Sequence, residues 1–342
     1  MSQSDLKGVM IGAGFFAAFQ AEAWKRIAGA EITAVADLDA SKAAAFAAHW
    51  GIEGVYADPA EMLDRERPDF ADIVTGPETH RALTEMAASR KIQVICQKPM
   101  APRVEECAAM VEACERNGVR LLMHENWRWQ PWYREAKRLE RQGRFGRIFH
   151  VAFRMRNGDG RGPAPYTIQP YFRQMPRFLI QETLVHFLDT FRFLAGEIQS
   201  LYCRTSRINP VIRGEDYAIL HLSFESGAQG LIDSNRISGP MPLDPAFGTL
   251  HIEGESAALR MSPEGRLWLT DYGAAEREHD YPIPQQGYKG DSVHALQAHL
   301  VECLRESTPC ESEGRSYLRT VRAVEACYDS AKSGQPVLLG SQ

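Results

Sequence analysis

The stretch VMIGAGFFAAF, residues 9–19, leads from apolar residues through two glycines into a run of aromatic and alanine residues. Its centre fits the pattern Gly-x-Gly-x-x-Ala. Gly12 permits a tight turn after a strand, Gly14 lets a pyrophosphate approach the backbone, and Ala17 lets a following helix pack closely on the strand. The N-terminus of such a helix offers N–H groups and positive potential to a phosphate. The stretch therefore predicts a dinucleotide-binding turn.

Strand and helix patterns alternate on the C-terminal side of this turn. Apolar strand patterns lie at 31–37, near 55, at 73–74, at 93–97 and at 119–125, with helical patterns between most of them. This alternation is typical of βαβ units and a parallel sheet. We predict an α/β N-terminal Rossmann domain, a doubly wound parallel sheet, over residues 1–124.

Asp37 ends the second strand pattern, at the distance from the glycines where a ribose-binding carboxylate is expected. A carboxylate accepts hydrogen bonds from both ribose hydroxyls but repels a 2'-phosphate, and no arginine occurs in residues 38–41. We therefore predict NAD rather than NADP as the cofactor. Gly-x-Gly turns also occur for packing alone. The prediction of dinucleotide binding therefore depends on three features together: the strand before the glycines, the helix after them, and Asp37.

Residues 125–342 have a different pattern, which predicts an α+β C-terminal domain with a large, mainly antiparallel open sheet. The outer face of such a sheet would expose apolar strands, which predicts oligomerisation. A helix at 132–142 and a strand at 147–156 precede a helix at about 178–194. Closely spaced strands follow at 198–207, 216–224, 228–237, 248–253, 257–261 and 266–271. Two closing helices, at about 291–306 and 314–332, could pack back on the first domain.

The composition favours a small-molecule partner. Hydrophobic residues make up 44% and charged residues 24% of the 342-residue chain, which is ordinary for a globular enzyme and unlike membrane or disordered proteins. The net charge of -5 and the lack of a basic stripe argue against nucleic acid. Seven scattered cysteines without a Cys-x-x-Cys pair predict reduced core residues, no metal site and a cytoplasmic location.

Lys98 follows the apolar strand pattern at 93–97. Ligands of a doubly wound sheet bind beyond the carboxyl ends of its strands, so Lys98 should face the cofactor cleft. Pro99 restricts the Lys98 backbone to extended geometry, which would aim the side chain reproducibly. On the residues alone, a lysine that simply reaches solvent is an equal alternative.

Glu182 and His186 are four residues apart in a helical pattern, so they would share one helix face and could point together into a cleft. The alternative is a surface pair or a structural histidine in the core. Their helix pattern carries an apolar stripe, which would pack that helix on the sheet.

Aromatic and basic residues cluster around Trp127. Its ring would suit the apolar face of a sugar, and Asn126 and Arg128 could bind hydroxyls, although such aromatics more often cement a domain junction. Arg156 belongs to a local basic excess that could meet an anionic substrate or order polar hydroxyls. Much of that excess is expected to be a solvated helix face.

Taken together, these residues resemble the glucose–fructose oxidoreductase, inositol dehydrogenase and MocA family (GFO/IDH/MocA). The resemblance covers nearly the whole chain. It rests on the Gly12 turn, Asp37, the stretch Thr75-Gly76-Pro77-Glu78-Thr79-His80, Gln97-Lys98-Pro99, residues 126–131 and the Glu182-x-x-x-His186 helix. It implies NAD(P)-dependent oxidation of a sugar or polyol hydroxyl, and a homodimer or homotetramer built on the C-terminal sheet. The stretch 123–135 is most similar to aldose dehydrogenases.

The resemblance also implies roles for individual residues. His186 would be the base, Lys98 would stabilise the developing alkoxide, and Glu182 would orient a hydroxyl or His186. The implied cofactor-binding residues are Gly12, Gly14, Phe15, Phe16, Asp37, Thr75, Pro77, His80 and Gln97. The implied substrate-binding residues are Lys98, Asn126, Trp127, Arg128, Arg156, Glu182 and His186.

Three residues depart from the family pattern and bear on the substrate more than on the reaction. Gln97 stands where glutamate is usual, Glu182 where aspartate is usual, and Glu78 where asparagine is common. The expected reaction moves a hydride from a carbinol carbon to NAD, giving a lactone from an aldose or a ketone from a secondary alcohol. The alternatives are an NAD-dependent lyase or glycosidase with transient oxidation, and a non-catalytic NAD-sensing regulator.

Overall fold

The computed structural model describes residues 5–340, and the chain forms two compact units. Unit 1 contains the chain up to Trp129 and the segment Gln285–Val321, whereas unit 2 contains Gln130–Pro284 and the chain from Arg322 onward. The segment Gln285–Val321 therefore belongs to the same unit as the N-terminal part of the chain.

Unit 1 is built on a six-stranded parallel sheet, as the sequence predicted. Its strands are β1 (Leu6–Ile11), β2 (Ala30–Ala36), β3 (Gly54–Tyr56), β4 (Phe70–Ile73), β5 (Gln93–Gln97) and β6 (Leu121–His124). They are ordered β3-β2-β1-β4-β5-β6. The strand order reverses between β1 and β4, and ligands of such sheets bind at the carboxyl ends of the strands beside this reversal.

Five helices connect these strands: α1 (Ala17–Trp24), α2 (Ala40–Trp50), α3 (Pro59–Glu66), α4 (Pro77–Ser89) and α5 (Val104–Asn117). The sequence analysis missed α3, whose eight residues are too few for a clear periodic pattern. Asp58 accepts a hydrogen bond from Ala60 N (2.8 Å) and caps α3, while Pro59 occupies its first position. The first helix begins at Ala17, so Phe15 and Phe16 lie in the turn before it.

Unit 2 contains a nine-stranded, mainly antiparallel sheet, which also confirms the prediction. Its strands are β7 (Ile148–Arg156), β8 (Ile198–Ser206), β9 (Tyr217–Phe224), β10 (Gln229–Asn235), β11 (Gly248–Gly254), β12 (Ala257–Met261), β13 (Leu267–Asp271), β14 (Arg277–His279) and β15 (Val337–Leu338). Their order is β14-β13-β12-β11-β7-β10-β9-β8-β15, with only the β7–β10 pair parallel. The short edge strands β14 and β15 were not predicted.

The helices of unit 2 differ from the prediction at one point that concerns the site. Helix α6 spans Pro131–Arg141, but the single helix expected at about 178–194 is a π-helical turn, Leu179–Leu184, followed by α7, Val185–Ala195. The Glu215 carboxylate accepts hydrogen bonds from Phe178 N (3.2 Å) and Ile180 N (3.0 Å) at the start of the turn. Phe187 of α7 stacks on Phe153 of β7 at 4.1 Å, which fixes α7 on the sheet.

Two further helices complete the elements, α8 (Ser292–Glu306) and α9 (Gly314–Ser333). Helix α8 packs on α1 in unit 1, where Arg26 Nη1 donates to Asp291 Oδ2 at 2.9 Å just before α8 begins. Across residues 5–340, the helices are too short or too polar to span a bilayer.

Candidate active site

The Gly12 turn has the geometry that a dinucleotide needs. Gly12 has φ +105°, and a Cβ there would lie 2.8 Å from the Val74 carbonyl oxygen, so no larger residue fits. A Cβ on Gly14 would instead have no atom within 4 Å. This open space beside the start of α1 fits the close approach of a pyrophosphate to the backbone. The residues present therefore fit NAD.

Asp37 is held beside this turn, directly after β2. Its Oδ2 accepts a hydrogen bond from Ala13 N (2.9 Å), and its Oδ1 accepts one from Asp39 N (3.0 Å). Lys42 Nζ lies 3.6 Å from Asp37 Oδ2. The backbone thus fixes the carboxylate at the position expected for ribose recognition, with one half-exposed cation next to it.

The stretch from Thr75 to His80 follows β4 and begins α4. Thr75 Oγ1 lies 2.7 Å from Thr79 Oγ1, and Pro77 is the first residue of the helix. His80 is fully buried, with Nε2 3.0 Å from the Thr75 carbonyl and Nδ1 3.1 Å from the Pro99 carbonyl. Burial lowers the pKa of His80, which the carbonyl contacts partly oppose. His80 therefore links the ends of β4 and β5 and positions the residues around Lys98.

Gln97 and Lys98 lie at the carboxyl end of β5, as predicted. Gln97 Oε1 accepts a hydrogen bond from Lys98 N at 2.7 Å. The buried Gln97 Nε2 has no hydrogen-bond partner within residues 5–340, so it is a donor that a ligand could use. Lys98 itself is half-buried. Gln97 pairs with His124 of β6, which places Glu125 on the adjacent strand end.

The segment after β6 is more buried than the sequence analysis expected. Trp127 is 2% exposed, and its backbone N–H donates to Glu125 Oε1 at 3.0 Å. Asn126 Nδ2 donates to Ser292 Oγ at 2.8 Å. These contacts make Trp127 and Asn126 anchors of the strand end, whereas Arg128 is half-buried. Their predicted substrate contacts stay predictions.

The loop that precedes α8 was missed by the sequence analysis. Lys289 Nζ lies 5.4 Å from the centre of the Trp127 ring, and Tyr288 packs on Phe16 at 5.5 Å. Lys289 and Asp291 have positive φ values of 45° and 62°, which cost energy in residues other than glycine. Gly287, two residues before Lys289, and Gly290, between Lys289 and Asp291, were a signal in the sequence that an irregular loop occurs here.

Glu182 lies in unit 2 beside a buried arginine that the sequence analysis also missed. Glu182 Oε2 accepts from Thr183 Oγ1 (2.7 Å) and lies 3.7 Å from Arg236 Nη1. Arg236 Nε donates to Asp159 Oδ1 at 3.1 Å. The guanidinium lies 5.2 to 5.4 Å from three ring centres, those of Tyr166, Phe172 and Phe178. Burial disfavours the charged form, but the two carboxylates outweigh it and raise the pKa of Arg236.

His186 and Arg156 also lie in unit 2. His186 is nearly buried in the first turn of α7, so the widened turn that contains Glu182 ends just before it. The prediction that Glu182 and His186 share one face was made for a regular α-helix, and it stays a prediction for this segment, in which a π-helical turn leads into α7. Arg156 Nη1 donates to the Asp233 carbonyl at 2.8 Å, and its other nitrogen pairs with the Asp233 carboxylate. Arg156 is thus engaged with β10.

Comparisons with known proteins agree with the two-unit architecture and its sheets. Residues 6–125 match the oxidoreductase family with an NAD-binding Rossmann fold, and residues 133–260 match the GFO/IDH/MocA C-terminal domain. A D-apiose dehydrogenase from Paraburkholderia graminis is 37% identical over 98% of this chain and 90% of its own length. A second D-apiose dehydrogenase, from Rhizobium rhizogenes, is 35% identical over 100% of this chain and 99% of its own length.

Solved structures of other proteins have the same fold as this chain. An oxidoreductase from Agrobacterium radiobacter, in complex with NAD+, L-tartaric acid and magnesium, has a TM-score of 0.91 and 34% identity, with 98% of each chain covered. A levoglucosan dehydrogenase in complex with NADH has a TM-score of 0.89 at 19% identity, with 99% of this chain and 100% of the other covered, which bears on the fold alone. The chain belongs to the GFO/IDH/MocA family of NAD-binding oxidoreductases.

Proposed function

We propose that the protein is an NAD-dependent dehydrogenase that oxidises a carbinol carbon of an aldose, with D-apiose as the first candidate substrate. The observation that carries this proposal is the full-length similarity to two D-apiose dehydrogenases. Oxidation removes a hydride from the carbinol carbon and a proton from its oxygen. At the anomeric carbon of a cyclic aldose the product is a lactone.

The residues of unit 1 that would hold the cofactor are the Gly12 turn and Asp37, supported by the open space at Gly14 and the fixed carboxylate. NAD supplies the hydride acceptor when it is bound. Further cofactor contacts are proposed for residues beside these elements: Phe15, Phe16, Thr75, Pro77 and Gln97. His80 would act through Thr75 and Pro99 rather than by direct contact.

The proton of the reacting hydroxyl requires a base within hydrogen-bond reach of the oxygen. We propose that His186 takes this proton and that Lys98 donates a hydrogen bond to the oxygen as negative charge develops there. Histidine suits the first task because its ordinary pKa is close to neutral pH. Glu182, fixed by Thr183 and Arg236, would accept a hydrogen bond from a neighbouring hydroxyl.

A substrate screen tests the proposal. Purified protein with NAD is assayed for NADH absorbance against D-apiose, other pentoses, hexoses and inositols. We expect the highest kcat/KM with D-apiose. NAD binding without NADH formation from any sugar would favour the regulatory alternative. Conversion of a glycoside without net NADH would favour the lyase or glycosidase.

Sugar acids are a second class of candidate substrate. The reason is that the similar Agrobacterium radiobacter oxidoreductase was crystallised with L-tartaric acid, a hydroxylated dicarboxylic acid. The screen should therefore include tartrate, aldonic acids and uronic acids. Higher kcat/KM for an acid than for D-apiose would replace the aldose assignment.

We also propose a cytoplasmic homo-oligomer. All seven cysteines are free and buried, which suits a reducing compartment. One face of the unit 2 sheet carries half-exposed apolar side chains on neighbouring strands, including Ile219 and Leu231, which a second copy could cover. Light scattering at micromolar concentration should give a dimer or tetramer, and a monomer would contradict this.

A further inference from the structure

Three soft ligand groups come together in unit 1, apart from the candidate active site. His299 and Cys303 lie four residues apart on α8, and Cys310 lies in the loop that follows the helix. One ligand atom from each residue lies within 4.8 Å of the other two. Both cysteines are buried and His299 is half-buried. The sequence analysis expected no metal site, because the three residues match no common short motif.

We propose that His299, Cys303 and Cys310 bind a thiophilic metal ion, with Zn2+ as the first candidate. Tetrahedral zinc, with bonds of about 2.3 Å to sulfur and about 2.0 Å to nitrogen, places these two ligands roughly 3.5 Å apart. Cys303 Sγ lies 3.4 Å from His299 Nε2. The same sulfur lies 3.8 Å from His299 Nδ1, so it is beside the ring and not in line with the Nε2 lone pair. The helix holds two ligand atoms at about the spacing of a metal site, the ring would turn to direct Nε2 at a shared ion, and the Cys310 ligand atom is within 4.8 Å of both.

The contacts that these groups make without metal are compatible with the proposal. Glu311 N donates to His299 Nε2 at 3.1 Å, and the Cys303 thiol donates to the Pro309 carbonyl at 3.4 Å. Metal binding would displace both bonds, because Nε2 would bind the ion and the Cys303 thiol proton would be released to solvent together with that of Cys310. A neutral hydrogen bond contributes much less free energy than coordination of zinc by thiolates, so the exchange is favourable.

A third contact would be kept when the metal binds. Ser312 N lies 3.4 Å from Cys310 Sγ and donates to it. Such a backbone donor stabilises a thiolate and orients it toward the ion, as outer-shell hydrogen bonds do in known metal sites. The fourth position would be taken by water, since the half-buried His299 leaves one side of the cluster accessible.

The proposed site is structural. The loop that contains Cys310 also supports β6, because Ser312 accepts a hydrogen bond from Met123 N at 2.7 Å. The His299 ring packs on Trp129 at 4.8 Å. A bound ion would therefore stabilise the end of β6 and the segment after it, without taking part in hydride transfer.

Titration of metal-free protein with Co2+ and Zn2+ tests the site. We expect one Co2+ per chain with the visible absorption of tetrahedral cobalt and a thiolate charge-transfer band, both removed by Zn2+. Cys303→Ser and Cys310→Ser should each weaken binding at least tenfold, and so should His299→Gln, which changes a half-buried residue and should fold. Cys114→Ser, a buried cysteine on α5 in the same unit, is the matched control and should bind normally.

Two results would overturn the proposal. One is wild-type protein that binds no more Co2+ than His299→Gln does. The other is an equal loss in Cys114→Ser, which would trace the binding to general cysteine chemistry. Metal affinity is measured without substrate or NAD, so the outcome is independent of the proposed dehydrogenase activity.

Discussion

Arg236 Nη1 lies 3.7 Å from Glu182 Oε2 in the interior of unit 2. Arg236→Met would leave Glu182 and Asp159 without their shared cation, and removing one partner of a buried ion pair costs about 3–5 kcal/mol. We expect that loss in the free energy of unfolding by urea denaturation. Arg260→Met, which breaks a more exposed pair with Glu276, is the control and should cost less than about 1 kcal/mol. Equal losses would contradict the burial argument.

The same arginine should affect catalysis only through Glu182. At a temperature where both variants are folded, Arg236→Met should lower kcat/KM in the wild type more than in a Glu182→Gln background. A double-mutant cycle measures this difference. Additive effects would show that Arg236 supports the fold without positioning Glu182.

Asp37 should determine cofactor choice. A hydrogen bond to a charged group contributes about 1.5–3 kcal/mol, so Asp37→Ala should lower the ratio of kcat/KM for NAD over NADP by roughly ten- to a hundredfold. Lys42→Met removes the cation that lies 3.6 Å from the Asp37 carboxylate, and so tests the carboxylate by itself. We expect Lys42→Met to preserve the preference for NAD. Better use of NADP by the wild type would show that Lys42 outweighs Asp37.

Lys98 and His186 should act on the chemical step. His186→Gln is expected to lower kcat by about 10²–10⁴, the usual contribution of a positioned proton-transfer group. Lys98→Met is expected to lower it by about 10²–10³, the usual contribution of a hydrogen-bond donor to a developing oxyanion. The dissociation constant for NAD, measured by fluorescence titration, should change little. Lys25→Met, at an exposed lysine, is the control. A variant that loses NAD binding and turnover together would indicate a role in holding the cofactor.

Asp72 should make the stability of unit 1 depend on pH. This residue of β4 is fully buried, and desolvation raises its pKa to about 7 although Trp24 and Gln20 donate hydrogen bonds to it. Because the unfolded pKa is about 3.9, the folded state binds the extra proton between about pH 4 and 7. The stability contributed by this group is present at low pH and is lost as pH rises toward 7, by as much as roughly 4 kcal/mol.

Asp72→Asn should remove this pH dependence. An asparagine can still accept from Trp24 Nε1, and its amide can donate to Gln20 Oε1, which is buried without a partner among the described residues. Unfolding midpoints in urea between pH 5 and 7.5 should therefore fall in the wild type and stay flatter in the variant. Parallel profiles would mean that Asp72 keeps an ordinary pKa in the folded protein.

The sequence predicted those site residues whose positions are set by the strand that directly precedes them in the chain. The Gly12 turn, Asp37 and Lys98 follow strands whose apolar patterns are clear, and each lies at the strand end where it was expected. Partners far apart in the chain were not predictable in this way. Arg236 meets Glu182 across 53 intervening residues, which include α7 and parts of the sheet, and no local pattern marks that pairing.

Long-range contacts also explain one local error, the regular helix expected at about 178–194, and the surroundings of His80, whose predicted cofactor contact stays a prediction. Glu215 takes the backbone donors at the start of the turn before α7, which replaces a regular α-helix by a π-helical turn. His80 was placed with the cofactor contacts, but its ring lies between carbonyl groups of two strand ends. In both cases a buried side chain forms hydrogen bonds with backbone groups of other segments, and a local sequence pattern does not show such contacts.

The return of residues 285–321 to unit 1 has a consequence for how the protein is made. Helix α1 leaves the ribosome early, but α8, which packs on it through Leu296 and Leu300, is synthesised only after most of the unit 2 sheet. Domains usually fold in turn during synthesis, beginning with the N-terminal one. Here the first unit cannot be completed until its last segment emerges, so the nascent chain carries the surface of α1 that α8 later covers exposed to solvent while unit 2 is being translated.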